Sequence, residues 1–183
     1  GKEGIEELEK QVKQYTAGEE MTANLLPTGS APKHYPVAFN LLPQIDVFLD
    51  NDYTKEEMKM VHETQKILHD DTIQVVPTTV RVPVYRSHSE SVLVETEEPV
   101  SVEAFKAACE KFPGLQVKDN PAEQIYPMPL YTSNQNDCEI GRIRKDLYND
   151  KGMNFWIVGD QIRKGAALNA LQIAEYLVEK QAF

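Results

Sequence analysis

The amino-acid sequence predicts an α+β fold with a mixed, largely antiparallel sheet backed by helices. Three observations carry this expectation: short β-branched runs, amphipathic helical segments among them, and no regular alternation of strand with helix. The chain has 183 residues, 41% of them hydrophobic, enough for one well-packed domain and too little for two large ones. A single domain over residues 1–183 is therefore expected. No internal repeat or low-complexity tract is evident.

Residues 2 to 15 space Ile5, Leu8, Val12 and Tyr15 by three or four positions, giving one apolar stripe on a helix otherwise made of Lys, Glu and Gln. The helix starts abruptly, so Gly1 reads as a cut in a longer polypeptide. Residues 17 to 44 hold Pro27, Pro32, Pro36 and Pro43 with Gly18 and Gly29, which excludes a regular helix. A crossing of this length is usually functional or interfacial. Thr54-Lys55-Glu56-Glu57 is a capping-box signature and predicts a helix from about Lys55 to His69.

Ile73 to Val76, Thr79 to Tyr85 and Ser91 to Glu95 read as strands with one face buried, Val80, Val82 and Val84 alternating against Arg81, Pro83 and Tyr85. Ser101 precedes a helix carrying Phe105, Ala108 and Phe112, stopped by Pro113-Gly114. Leu115 to Lys118 makes a short strand. Cys138 to Lys145 and Met153 to Val158 flank Tyr148-Asn149-Asp150-Lys151-Gly152, whose Asn, Asp and Gly are expected to supply the positive φ of a hairpin turn. The last helix, Gly165 to Lys180, has a broad apolar face of Leu168, Leu171, Ile173, Ala174 and Leu177. That face is wider than a surface helix needs and is expected to pack on something outside this chain.

With 29 acidic against 19 basic residues the formal charge is -10, so the surface repels phosphate backbones and anionic headgroups. No nucleic acid and no membrane partner is expected. No apolar run approaches the ~20 residues of a bilayer span, and the charged start has no signal-peptide character. Cys109 and Cys138 lack the paired spacing of a zinc or redox motif, so no metal is expected and a reducing cytoplasm fits. An acidic protein still binds an anion where a few Arg and Lys converge, because local fields dominate within a Debye length of ~8 Å.

The stretch from Thr79 to Glu90 concentrates the chemistry. A guanidinium at Arg81 grips a carboxylate with two parallel hydrogen bonds, and an imidazole at His88 trades protons near neutral pH. The pair is compatible with an acid-bearing substrate and a proton-transfer step. Residue types alone also allow Arg81 to pair with a surface carboxylate and His88 to be an ordinary turn residue.

Five segments lie in an order that resembles the aspartate-β-semialdehyde dehydrogenases of bacterial type: Phe39-Asn40-Leu41-Leu42-Pro43-Gln44-Ile45-Asp46-Val47-Phe48, Arg81-Val82-Pro83-Val84 with His88-Ser89-Glu90, Gln124-Ile125-Tyr126-Pro127, Gly141-Arg142-Ile143-Arg144-Lys145-Asp146, and Lys164-Gly165-Ala166-Ala167-Leu168-Asn169. They cover nearly the whole chain. The resemblance implies the C-terminal substrate-binding and dimerisation domain of that family, with a fold like the C-terminal domain of glyceraldehyde-3-phosphate dehydrogenase. It implies reductive dephosphorylation of β-aspartyl phosphate to the semialdehyde with NADPH, through a cysteine thiolate and a thioacyl enzyme. This serves lysine, methionine, threonine and diaminopimelate biosynthesis.

By the same resemblance, His88 matches the general acid/base and Arg81 the clamp on the substrate α-carboxylate. Glu56 and Lys59 match an E-x-x-K pair, Glu56 toward the substrate ammonium and Lys59 toward phosphate. Three residues apart on a helix, they share a face, as they would in a plain solvated ion pair. Gln161 matches a nicotinamide-side contact, with Asn169 a further candidate; helix capping and surface solvation are their alternatives. NADP is implied, held mainly by a preceding domain, on which the helix at about 164–180 is expected to dock. A homodimer is implied too.

The sequence departs from the family at the nucleophile. Nothing like its S-x-N-C-T-T motif is present, and neither Cys109 nor Cys138 has its surroundings. The family's glycine-rich phosphate loop, its second phosphate-binding arginine and the glutamine near the cysteine are also missing, so the 183 residues alone are expected to be inactive. Two other functions compete: an N-acetyl-glutamyl-phosphate reductase domain, and a non-catalytic anion-binding or assembly module.

Overall fold

The computed structural model describes residues 1–181. The chain divides into two compact units, Gly1–Tyr85 and Arg86–Phe183, each with its own cluster of buried apolar residues.

The first unit opens with helix α1, Lys2–Thr16, which packs Leu8 onto Val37, Ala38 and Leu42, with Val12, Met21 and Leu26 against them. Of the expected apolar stripe only Leu8 is buried, and Tyr15 is exposed; the other residues that α1 buries are polar. Gln11 is fully buried: its Oε1 accepts from the amides of Val37 at 3.0 Å and Ala38 at 3.1 Å, and its Nε2 donates to the Thr22 carbonyl at 3.0 Å. Glu7 Oε2 accepts from Asn24 N–H at 2.9 Å, and Gln14 Oε1 from Thr22 N–H at 3.0 Å. Polar side chains thus satisfy the backbone of the proline-rich crossing, which has no ladder of its own. Helix α2, Lys55–Leu68, begins with both halves of the expected capping box: Glu57 N–H donates to Thr54 Oγ1 at 3.2 Å, and Thr54 N–H to Glu57 Oε2 at 2.8 Å. It ends at His69 in the left-handed region, φ 54°.

The strands expected at Ile73 to Val76 and Thr79 to Tyr85 do not form. Arg81 makes one isolated antiparallel bridge to Leu42, its N–H donating at 2.8 Å and its carbonyl accepting at 3.1 Å. Pro77 and Pro83 lack the donors that would extend a ladder on either side. The exposure is also the reverse of the expectation: Val76, Val80, Val82 and Val84 are exposed and Arg81 is half-buried.

The second unit holds strands β1 His88–Glu95, β2 Leu115–Val117, β3 Cys138–Lys145 and β4 Gly152–Gly159 in the sheet order β1-β4-β3-β2. Pairs β1·β4 and β4·β3 are antiparallel and β3·β2 parallel, the mixed sheet that was expected. Helix α3, Val102–Lys111, capped by Ser101 Oγ at 3.1 Å from Ala104 N, lays Phe105 and Cys109 on Ile140, Ile143 and Met153. Each such burial contributes about 1.5–3 kcal/mol. The one-turn helix α4, Pro129–Thr132, buries Thr132. Helix α5, Leu168–Glu179, starts three residues after Gly165, because Lys164, Gly165 and Ala166 depart from helical φ and ψ. None of its residues is buried, and Leu171, Ile173, Tyr176 and Val178 are exposed. Among the described residues no helix is long and apolar enough to cross a membrane.

The β3–β4 turn differs from expectation in mechanism. None of Asn149, Asp150 and Gly152 takes a positive φ. Asp146 Oδ1 instead accepts from the amides of Tyr148 at 2.8 Å and Asn149 at 3.0 Å, and a Cβ on Gly152 would come 2.5 Å from Asp146 Cβ. Glycine is required there for space. Gly141 is tighter still: a Cβ would overlap the Lys118 carbonyl and sit 2.6 Å from Pro127 Cδ. We expect Gly141→Ala to separate β2 from β3 and lower the unfolding free energy by roughly 1–3 kcal/mol. Urea unfolding reads this; a midpoint equal to that of the parent would refute it.

Candidate functional site

In the first unit, the candidate residues gather at the start of α2 and on the extended segment that follows it. Glu57 is buried and does two jobs with one carboxylate. While Oε2 closes the capping box, Oε1 accepts from Thr79 N–H at 2.8 Å and Thr79 Oγ1 at 3.4 Å. The helix start is thereby tied to a backbone position two residues from Arg81. Burial raises the Glu57 pKa, but the amides and hydroxyls of Thr54 and Thr79 outweigh it and leave the carboxyl below its usual value.

Glu56 and Lys59 lie one turn apart with Nζ 3.5 Å from Oε1, both side chains over a third exposed. Such a pair contributes a few tenths of a kcal/mol and opens readily. Arg81 is different. Its Nε is buried without a hydrogen-bond partner, and among the described residues no carboxylate lies within ion-pair reach of its guanidinium. A half-buried cation with no carboxylate partner, in a chain of formal charge -10, calls for an explanation.

In the second unit, His88 is the first residue of β1, exposed, and paired with Gly159 at the end of β4. It opens a strand and is not a turn residue. Gln161 is brought next to it, its Oε1 accepting from Ser87 N–H at 2.9 Å. Asn169 lies in the first turn of α5, half-buried, and makes no hydrogen bond to either.

The residues that sequence reasoning missed surround these. Asp160 is sealed, its side chain 0% exposed, and its Oδ2 pairs with Arg86 Nη2 at 2.8 Å. Oδ2 also accepts from Asn134 N–H at 2.7 Å, and Oδ1 from Ile162 N–H at 3.0 Å. Burial raises its pKa, yet the Arg86 guanidinium and the two amides overcome that and hold it below the ordinary aspartate value. Ser87, at φ 78°, brings its hydroxyl 3.3 Å from Ser133 Oγ, which donates to the Pro129 carbonyl at 2.8 Å and lies 3.4 Å from the Arg86 carbonyl. A signal was present: an aspartate separated only by Gly159 from the apolar run Trp156-Ile157-Val158 has to be paired.

Neither cysteine is poised to react. Burial pushes both thiols above their usual pKa, and at Cys138 it outweighs the opposing charge of Lys164. A shallow hollow of this unit, about 400 Å³, is lined by Tyr126, Met128, Arg142, Arg144 and Trp156 and by none of the candidate residues. It is open to solvent.

A family model described as semialdehyde dehydrogenase, dimerisation domain, matches residues 1–164. An aspartate-semialdehyde dehydrogenase of Aquifex aeolicus is 46% identical over 180 residues, covering 98% of this chain and 51% of that protein. One of Bacillus subtilis is 45% identical over 178 residues, covering 97% and 51%. Among solved structures, aspartate semialdehyde dehydrogenase II from Vibrio cholerae, complexed with ASA, superposes with a TM-score of 0.87 at 42% identity, covering 98% of this chain and 51% of that one. The chain spans about half the length of the relatives it matches.

The depressed carboxyls of Glu57 and Asp160 add to the pH dependence of stability. Their folded pKa values lie below the unfolded ones, so their contribution is complete above the ordinary carboxylate range, about pH 4, and is lost as pH falls through the depressed values. Thermal unfolding followed by circular dichroism from pH 7 to pH 3 is expected to show a falling midpoint, with a shallower fall in Glu57→Gln. An identical fall in parent and variant would be the contrary result.

Proposed function

The chain belongs to the semialdehyde dehydrogenase dimerisation-domain family, and on that premise we propose that residues 1–183 form the substrate-binding and dimerisation domain of an aspartate-semialdehyde dehydrogenase. The whole enzyme would convert β-aspartyl phosphate to aspartate β-semialdehyde with NADPH in the cytoplasm, in the biosynthesis of lysine, methionine, threonine and diaminopimelate. The observation that carries this reading is the half-buried Arg81 guanidinium without a carboxylate of its own. A substrate bearing an α-carboxylate supplies the missing counter-charge and both acceptors of a bidentate pair.

The remaining assignments follow the charges that such a substrate displays. Glu56 takes its ammonium and Lys59 its phosphate, each released from the exposed Glu56–Lys59 pair as the ligand replaces it. His88, exposed at its strand end, exchanges the proton of the group that attacks the acyl carbon. The attacking thiol belongs to a part of the enzyme outside these residues, in keeping with the raised thiols of Cys109 and Cys138.

NADPH, when bound, supplies the hydride. The amide groups of Gln161 and Asn169 fit the carboxamide side of its nicotinamide: both are neutral, and among the described residues neither amide NH₂ has an acceptor. The preceding domain would hold most of the dinucleotide, with the exposed apolar residues of α5 as the surface that meets it. The active form is a homodimer.

In the complete enzyme, Arg81→Leu and His88→Asn are expected to lower kcat/KM by several orders of magnitude, Arg81→Leu largely through KM and His88→Asn through kcat. A non-catalytic binding module would lose little in either. A polypeptide of residues 1–183 alone should consume no NADPH with the acyl phosphate, and a rate near that of a complete enzyme would refute the assignment.

A further inference from the structure

His88 is the first residue of β1, and strand ends are the least restrained part of a ladder. The two residues before it, Arg86 and Ser87, lie outside the sheet, so the β1–β4 register with Gly159 cannot by itself fix how the chain enters the strand. Side chains from two other segments do so. Asp160 and Gln161, directly after β4, take the Arg86 guanidinium at 2.8 Å and the Ser87 amide at 2.9 Å. Ser133, directly after α4, meets the Ser87 hydroxyl and the Arg86 carbonyl.

Asp160 is the centre of this arrangement. Its side chain is wholly buried, and its two oxygens receive three donors: the guanidinium, the amide of Asn134 and the amide of Ile162. With those donors in place, Asp160 has no role in proton exchange itself. What it does is hold three pieces of chain at one point, each by a charge-assisted bond. The Arg86 guanidinium is occupied by that contact, with 28% of its side chain exposed, and is not available as a substrate clamp.

We propose that the buried Arg86–Asp160 ion pair is a positioning device for His88, setting the direction in which the imidazole leaves the strand end. The proposal rests on His88 as the proton carrier. Arg86 and Asp160 are positioning residues, acting through His88 and touching no reacting atom. A buried ion pair is a poor source of stability, since apolar replacements of similar volume are often as stable. Geometric registry is the use that the three converging segments support.

The test is a double-mutant cycle in the complete enzyme. The rate of acyl-phosphate reduction is measured for His88→Asn, Asp160→Asn and the double variant, with KM and the thermal midpoint followed in each. Misplacing a catalytic group by an ångström costs on the order of 100-fold, so Asp160→Asn is expected to lower kcat by roughly 10–100-fold and leave KM within about threefold. In the His88→Asn background the same change should cost nothing further, because the group it positions is gone. A merely structural role would lower the rate by the same factor in both backgrounds, and that result overturns the proposal. Should Asp160→Asn fail to fold, Arg86→Gln takes its place in the cycle, with Arg86→Lys expected to recover part of kcat by restoring one charged bond. If His88→Asn retains the parent rate, the His88 assignment itself fails and the positioning role falls with it, an outcome distinct from additivity.

Discussion

The second unit depends on the burial of one carboxylate. Asp160 sits with its side chain sealed from solvent at the point where β4 ends, and it survives there ionised because Arg86 and two backbone amides surround it. Removing any one donor would leave a charge in a low-dielectric interior, where the deficit exceeds what an ordinary hydrogen bond contributes. This is why segments 86–87, 133–134 and 160–162 come together at one point, and why the end of β1 that carries His88 has a defined entry. The apolar cluster around Ile140, Ile143 and Met153 holds the sheet to α3; the carboxylate decides what happens at the sheet's edge.

The first unit solves a different problem by similar means. Its proline-rich crossing offers many amides and no partner strand, and the buried faces of Glu7, Gln11 and Gln14 receive or supply them one at a time. Glu57 does the same for Thr79 while capping its own helix. In both units, polar side chains that look like solvent-facing residues in a helical pattern serve as internal fasteners for irregular backbone.

What was legible in the sequence follows from this distinction. Elements specified locally were readable: the capping box of Thr54 and Glu57, the Ser101 cap, the Pro113-Gly114 stop, and the strands on either side of residues 146–151. Elements that depend on a distant partner were not. The alternating valines at 80, 82 and 84 have the period of a strand, but period says nothing of whether a neighbour with free donors and acceptors lies alongside, and Pro77 and Pro83 forbid a continuous one. At the candidate site, Arg81, Glu56, Lys59, His88, Gln161 and Asn169 were named through resemblance, since their residue types alone also suit a surface. Arg86, Asp160 and Ser133 escaped because the contacts that join them to the strand entry span many positions of chain, 26 for Asn134 to Asp160 and 46 for Ser87 to Ser133.

Ser87 carries a consequence of its own. Its backbone occupies the left-handed region at φ 78°, a conformation that disfavours a side chain by roughly 1–2 kcal/mol and that glycine would adopt freely. Glycine would also delete the hydroxyl that meets Ser133 and loosen the hinge before the imidazole. Durability and accuracy therefore pull this position in opposite directions. A variant selected only to survive heat would be drawn toward the smaller residue, and would trade a fixed entry into β1 for a backbone at ease in that conformation.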